Sequence, residues 1–572
     1  MFKKHLIKTR LRPADETDLE PVYLGLWACS WNNDEQSPII DGEVLPFRWD
    51  DRDMMARDFD YLQGFYNRIL AGISKDFSSY HQTDFSLRAW KILVGPFALH
   101  LLHSLFDRYH SIQNALSLYP QGLQTAIYED KFAPANLSHW FSLLATDEFN
   151  ELLYSKVIQS QSAGIEYKKY SAPLLHESQR PNLGSKDLIK LISSKACKYY
   201  NSILIQRRNS HLSAMETLKL YKNLVQIPAL EPDFYPSSKV IDWEFRSQPL
   251  SLEVKGDFEA FIRDNFYWFF PVSLLESFAE LKKFTESYLP KGLKHILMGS
   301  SFGNEYFSMS CALASQEGAK LSLYQHGGLY GTTRYSSAES FELDIADYYL
   351  SWGWKGEKVK PFYINKPLEV KPDLKQGSIL VGLVSQRRYV YRLDSWIQGP
   401  QTYECGQSQI EFAKNLNQNT REETLFRFHR NYGWNEKDRF LKEIPDLKSE
   451  SITDCSFHDS ISKAKLFVGT YNTTMLLECM SSNFPCLFFW NPEHEEIRED
   501  AKPYYDLLHE AKILFYCPKK CAEFVNTIAS DVMAWWNLKK TQSAVTKFCS
   551  KYAVKSENLV SELADFLKSH QS

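Results

Sequence analysis

Two loops of this 572-residue chain gather residue types that hold phosphate and move protons. The first is Tyr324-Gln-His-Gly-Gly-Leu-Tyr-Gly-Thr-Thr333, directly after an apolar β run. Gly327, Gly328 and Gly331 let backbone approach a ligand closely and turn N–H groups toward an anion. His326, at the strand end, could donate to a phosphate or transfer a proton near neutral pH. A tight turn with a structural histidine is the plainer alternative. The second loop is Leu466-Phe-Val-Gly-Thr-Tyr-Asn-Thr-Thr-Met-Leu-Leu-Glu478, which reads as strand, polar turn and helix start. Asn472, Thr473 and Thr474 fall where orphan N–H groups and the positive end of the helix dipole favour a phosphate, although the same residues also serve as ordinary N-caps. Glu478, four residues after Thr474 and on the same helical face, could accept a hydrogen bond from a ribose hydroxyl.

Arginines and carboxylates extend the set. Arg388, in Gln386-Arg-Arg-Tyr389, and Arg427, in Leu425-Phe-Arg-Phe-His429, stand at the ends of β runs. There a guanidinium fork suits bidentate contact with phosphate or carboxylate, unless both are merely solvated. Glu339, Glu342, Asp344 and Asp347 follow the His-Gly-Gly loop. A carboxylate beside a histidine can share general-base work, so Glu339 and Glu342 join His326 as catalytic candidates. Asp51-Arg-Asp53 has the form of a metal-binding D-x-D, but it opens an amphipathic helix, where acidic residues are expected at the positive end. No metal is assigned. Cys517 and Cys521 lack a second pair at zinc spacing. Neither a G-x-x-x-x-G-K-[ST] loop nor a G-x-G-x-x-G fingerprint is present, which removes the main support for Walker-type ATPases and dinucleotide oxidoreductases.

The elements that must position these residues alternate. Short β runs at 293–298, 321–325 and 348–352 are each followed by a helical pattern, and a Pro/Lys-rich linker at 355–377 separates them from runs at 379–384, 425–428, 466–469, 487–490 and 513–516. Such alternation predicts parallel sheets covered by helices, with ligands beyond the carboxyl ends of the strands. Upstream, 21–27 reads as a buried strand. Met55, Phe59, Leu62, Tyr66 and Ile69 make one helical stripe with Asp50 or Asp51 as N-cap, and 85–115 reads as an apolar helix interrupted at Pro96. Residues 116–225 read as mostly helical, with loops near Ser171-Ala-Pro and Arg180-Pro-Asn-Leu-Gly, and prolines from 228 to 249 mark a linker. The expected domains are 1–354, an α/β unit with a helical insertion; 378–540, a Rossmann-like unit; and 541–572, C-terminal helices that pack back on the first.

Lys and Arg number 66 against 70 Asp and Glu, a net charge of −4, so nothing in the balance captures a polyanion, and nucleic acid is not an expected partner. The basic start MFKKHLIKTRLRPADE has no apolar stretch of signal-peptide length. The apolar run at 92–106 falls short of the ~20 residues that span a bilayer. Ten scattered cysteines do not form a small-domain disulfide pattern. These readings place the protein in a bacterial-type cytoplasm.

Several long stretches carry a resemblance: PVYLGLW, LPFRWDDRDMMARDFDYLQGFYNRIL, SLRAWKILVGPF with FDRY, QHGGLYGTTRYSSAESFELDIADYYLSWGW, GTYNTTMLLECMSSNFPCLFFWNPEHEEIREDAKPYYDLL, and the late AWW with FCSKYA. On these, over roughly 21–110 and 295–555, the chain resembles a family of transferases encoded in bacterial O-antigen and other surface-carbohydrate clusters. That resemblance implies a GT-B-like α/β fold, two Rossmann-like domains facing a cleft, with a large helical portion in the N-terminal half. It is distantly similar to capsule Kdo transferases and to CDP-glycerol glycerophosphotransferases. It implies a nucleotide-activated sugar as substrate, CMP-linked by preference, held at 471–478, and a glycan or lipid-linked glycan acceptor in the cleft. No cofactor is implied, and peripheral contact with the inner membrane fits such an acceptor.

The expected function is therefore metal-independent glycosyl transfer to a growing surface glycan. The alternatives are transfer of a phospho-polyol from a CDP donor, and a non-catalytic glycan-binding or scaffold subunit. Two phosphate-type cradles favour an enzyme over a scaffold.

Overall fold

The computed structural model describes residues 4–11, 19–32, 37–161, 164–171, 185–206, 212–238, 240–300, 304–365 and 368–570. Its frame is three parallel sheets. The first comprises β1 (Lys4–Ile7), β2 (Pro21–Tyr23), β3 (Glu43–Val44), β4 (Leu123–Tyr128) and β5 (Ile165–Tyr170), in the order β3-β2-β1-β4-β5. The second runs in simple succession through β6 (Ile203–Ile205), β7 (His295–Met298), β8 (Lys320–Tyr324), β9 (Tyr348–Ser351) and β10 (Val359–Pro361). The third holds β11 (Ser378–Gly382), β12 (Thr424–Phe428), β13 (Ser449–Ser451), β14 (Ala464–Gly469), β15 (Cys486–Phe489) and β16 (Leu514–Phe515), ordered β13-β12-β11-β14-β15-β16. All pairings within the three sheets are parallel. The fold class is α/β, with Rossmann-like second and third units facing across a cleft in the GT-B manner.

The eight β runs of the C-terminal part all fall on strands. Their apolar residues face helices on both sides of each sheet, so no alternating pattern is needed. Residues 116–225 are mostly helical, as expected, but they also contribute the strands β4, β5 and β6, which the sequence reading did not place there. β5 reads Ile-Glu-Tyr-Lys-Lys-Tyr, an edge strand whose charges mask it in a hydrophobicity scan. The supposed linker 355–377 contributes β10, which pairs with β9. The loops placed at Ser171-Ala-Pro and Arg180–Gly184 lie outside the described residues, apart from Ser171.

Two long helices, α1 (Arg52–Tyr80) and α2 (Leu87–Leu118), join the first and second units. Asp51 caps α1, accepting from the Met54 N–H at 2.9 Å. α2 contains Pro96 and runs 32 residues, close to the helix expected over 85–115. Among the described residues it is the one helix long and apolar enough to cross a membrane, yet it is packed inside the protein. Its core carries Arg108, His100 and His103 as well as leucines, and these polar groups fasten neighbouring units: Arg108 donates to the Val390 carbonyl at 2.6 Å.

The chain end also crosses between units. α3 (Lys539–Tyr552) packs on the third unit and α4 (Leu559–Ser569) on the second, where the Tyr363 hydroxyl donates to Glu562 at 3.2 Å and the Phe566 ring meets Tyr348.

Candidate functional site

In the third sheet the order reverses between β11 and β14, and the loops leaving these two strands part to opposite faces. A crevice opens at such a switch point beyond the strand ends. Here it is a cavity of about 320 Å³ lined by Gly382 and Leu383 after β11, Arg427 and His429 at β12, and Tyr471, Thr473, Thr474 and Glu478 after β14. The second unit closes the other side with His326, Trp352 and Asn365. The two loops singled out in the sequence thus meet at one cavity.

The helix that starts there spans Thr474–Ser481. Thr473 is its N-cap, accepting from the Met475 N–H at 3.3 Å. Thr474 does something the sequence does not reveal: its hydroxyl accepts the Gly328 N–H at 3.0 Å, linking the second unit to the third. A Cβ on Gly328 would lie 2.9 Å from both the Thr473 carbonyl oxygen and the Thr474 nitrogen. The glycine is therefore required by contact between the two loops, not only by approach of a ligand. The Thr474 hydroxyl hydrogen stays available to a phosphate oxygen. Asn472 does not line the cavity. It is buried, its N–H donates to Glu495 at 2.9 Å and its side-chain oxygen accepts from Tyr505 at 3.2 Å, so it shapes the turn.

The His-Gly-Gly loop is held by Gln325, the residue that follows β8, and by the helix at Ser337–Ile345. Buried Gln325 donates to the Gly327 carbonyl at 2.9 Å and accepts from the Trp354 indole at 2.8 Å. Gly331 has φ +74°, the left-handed region that favours glycine, and its N–H donates to Glu339 at 2.7 Å. Arg498 of the third unit pairs with the same Glu339 and donates to the Thr333 carbonyl at 2.8 Å. Glu339 is thereby committed to the loop and to the joint between units. Glu342, fully buried one turn further on, approaches Nδ1 of His326 at 3.9 Å. Nε2 of His326 meets the Tyr330 hydroxyl at 3.1 Å. Of the two carboxylate candidates, Glu342 is the one placed to support an imidazolium formed when His326 takes a proton.

The arginines are placed differently from the sequence expectation. Arg388 stands away from the cavity: its guanidinium donates to Asp147 at 2.6 Å and to the Trp27 carbonyl at 2.8 Å, tying the first unit to the third. That geometry contradicts its assignment to donor phosphate, because the fork is already filled. Arg427 does line the cavity, yet Glu450 at 2.6 Å, Ser460 at 3.0 Å and the Cys455 carbonyl at 2.8 Å take its donors and balance its charge. Its part is to build the wall, with less charge to offer than the sequence reading assumed.

His429, Tyr471, Trp352 and Asn365 complete the lining and were not among the predicted residues. His429 could have been found, since period two in an extended chain puts it on the face of Arg427. Burial lowers its pKa, so it faces the cavity as a neutral imidazole near pH 7. Asn365 follows β10 in what reads as linker and carries no sequence signal. Behind the site, burial raises the pKa of Glu495 to about 8, where it accepts the Asn472 N–H as a neutral acid. Among the described residues no three His, Cys, Asp or Glu side chains cluster as a metal site.

The arrangement offers a helix N-terminus with two hydroxyls for a phosphate, a carboxylate on the same helix, aromatic walls, and a histidine–glutamate pair across the cleft. The sequence profile of LIC12162 family transferases matches residues 4–567, essentially the whole described chain. No curated protein matches the sequence. Among solved structures, MurG of Acinetobacter baumannii is similar at TM-score 0.32 and 10% identity, over 64% of this chain and 98% of that one. HepE of Anabaena, solved with UDP and glucose, is similar at TM-score 0.37 and 11% identity, over 64% and 99%. WaaG, a glycosyltransferase of lipopolysaccharide biosynthesis, gives 0.28 and 11%, over 67% and 95%. Likenesses of this size carry no argument about this chain, whereas the family match does: the chain belongs to the LIC12162 family of transferases.

Proposed function

We propose that this transferase is a glycosyltransferase that binds a nucleotide-activated sugar in the cavity at the Thr474–Ser481 helix and passes the sugar to a glycan or lipid-linked glycan acceptor of the bacterial surface. The observation that carries the reading is the meeting of that helix start with the His326–Glu342 pair across one cleft. Thr473, Thr474 and the first-turn N–H groups receive the leaving phosphate, and the fixed dipoles there stabilise charge as the glycosidic bond to phosphate breaks. Glu478 accepts from the ribose, and Tyr471 and Trp352 flank the remainder of the donor. His326 removes the proton of the acceptor hydroxyl, with Glu342 behind it. No step calls on a metal ion.

The cytoplasmic face of the membrane is the place of action in this reading, because nucleotide sugars are made there. Peripheral contact with that membrane is supported by Leu188, Ile189 and Ile192, each more than half exposed on the helix Ser185–Cys197, with Lys195 on the same helix.

The test is transfer of radiolabel from a panel of UDP-, CMP-, GDP- and CDP-linked sugars into a cell-envelope extract, with and without EDTA. The reading expects one sugar donor to be used and the rate to survive EDTA. Transfer only from a CDP-polyol would reassign the reaction to phospho-polyol transfer, and no transfer from any donor would contradict an enzyme of this kind.

A further inference from the structure

A second group of polar side chains lies outside the donor cavity and takes no part in the chemistry above. The loop from Val384 to Pro400, leaving β11, folds back against α2 and against the helix that carries Glu339 and Glu342. Asp394 accepts the Ser337 N–H at 2.7 Å, and the Leu393 N–H donates to His103 Nδ1 at 2.8 Å. Between its turns lies a half-open cavity of about 20 Å³, lined by Arg387, Tyr391, Arg392, Trp396 and Gln398. That is room for about one water-sized group.

The side chains that line this space carry polar atoms without partners, two donors and one acceptor. Nη1 of Arg387 and Nε1 of Trp396 are buried and make no hydrogen bond among the described residues. Arg387 has no carboxylate partner there and lies 4.8 Å from the centre of the Tyr391 ring. Arg392 pairs with Asp394 through Nε at 2.6 Å, which leaves both Nη groups. The Gln398 side-chain oxygen is the one unpartnered acceptor, its amide nitrogen donating to the Asp394 carbonyl at 2.7 Å. Two guanidiniums therefore face one carboxylate, and that carboxylate already answers to Ser337. Buried donors left unmatched cost free energy unless a ligand takes them up.

The position ties the cavity to the cleft. The Trp396 ring lies 5.7 Å from that of Tyr471, which lines the donor cavity. Arg392 is close enough to Asp394 and Glu342 for their carboxylates to favour its charge. We propose that Arg387, Arg392 and Trp396 form a subsite for an oxyanion carried by the acceptor, a carboxylate or phosphate edge that seats in this cavity beside the His326–Glu342 pair. The small volume admits one oxygen of such a group and not a whole sugar ring. A guanidinium with an indole N–H beside it offers donors to that oxygen, while the rest of the anion stays at the mouth of the cavity. The acceptor is thus anionic, either through an acidic sugar or through a phosphate. This deepens the glycosyltransferase reading and rests on it only for the word acceptor.

Calorimetric titration of the full chain with inorganic phosphate, with methyl glucuronide and with neutral methyl glucoside tests the assignment, run on wild type, Arg387→Gln, Arg387→Lys and Trp396→Phe. Among the described residues Arg387 makes no hydrogen bond or ion pair, so its variants should melt with wild type. The expected result is millimolar binding of phosphate or methyl glucuronide and none of the glucoside. Arg387→Gln should weaken the anion at least about tenfold, with partial recovery in Arg387→Lys and a smaller loss in Trp396→Phe. Binding of the glucuronide alone would name an acidic sugar, and of phosphate alone a phosphorylated acceptor. Absence of binding by either anion, or anion binding unchanged in both Arg387→Gln and Trp396→Phe, would overturn the subsite. Failure of the donor reading shows elsewhere, as nucleotide binding indifferent to Thr473 and Thr474, and leaves these isotherms interpretable.

Discussion

At the scale of single residues, the account turns on His326. Its ring lines the cavity, meets Tyr330 through Nε2 and has Glu342 behind Nδ1. A packing histidine in that place would tolerate Asn, which keeps a hydrogen-bonding group. A proton acceptor would not, and such roles are worth about 10²–10⁴ in rate. His326→Asn should keep its melting temperature and lose at least about a hundredfold in turnover, measured with whichever donor the panel identifies. Near-normal turnover would return the loop to a structural role. Glu495 gives a second expectation. An ordinary Glu titrates at 4.5, and this one at about 8 because it is buried. Between those values the folded chain keeps a proton that the unfolded chain releases, so stability falls as pH rises through the window, by at most about 1.4 kcal/mol per pH unit. Glu495→Gln mimics the protonated form. It should melt with wild type at pH 4 and above it at pH 8, and equal melting at both would show that Glu495 ionises freely. Strand ends made His326, Thr473, Thr474 and Glu478 readable from sequence. Arg388 misled because its filled fork depends on Asp147 and Trp27, residues more than 200 positions away. Asn365 and Glu495 were invisible for the same reason: only the folded chain brings them to the site.

At the scale of elements, the joint between the His-Gly-Gly loop and the start of the Thr474–Ser481 helix matters most. With 2.9 Å from a Gly328 Cβ to two backbone atoms, no side-chain movement can relieve the contact. Gly328→Ala should push the helix start away, leave the Gly328 N–H poorly matched and destabilise the fold by about 1–3 kcal/mol. Thermal melting reads this directly, and an unchanged midpoint would mean that the two loops do not touch in solution. The strands of the second and third sheets were legible because buried parallel strands form short apolar runs between helical patterns. Of the first sheet only β2 was legible, in the run at 21–27: β5 is charged, β3 is two residues long, and the pairing of β1 with β2 and β4 joins segments separated by loops and by two long helices.

At the scale of the whole molecule, three units are fastened by polar contacts as well as by packing. Arg388 with Asp147, Arg108 with the Val390 carbonyl and Arg498 with Glu339 each cross a boundary between units. Breaking a buried pair from one side leaves an uncompensated charge, at about 3–5 kcal/mol. Arg388→Ala should therefore lower stability by that order in denaturant titrations while nucleotide affinity stays at the wild-type value. A variant that melts normally but no longer binds nucleotide would restore Arg388 to the donor site. Under the proposed function the division of labour follows from the topology: the third sheet's switch point would receive the donor, the second unit would bring the histidine, and the first unit with its long helices sets the two against each other.

The most direct test of the central claim is calorimetric titration of UDP, CMP, GDP and CDP into the full chain and into the Thr473→Ala, Thr474→Ala double variant. The account predicts that one nucleotide binds the wild type and that the double variant, still folded, binds it at least about tenfold more weakly, the loss of a charge-assisted hydrogen bond to phosphate. Equal affinity in the two proteins would place the nucleotide elsewhere and contradict the donor site at the Thr474–Ser481 helix.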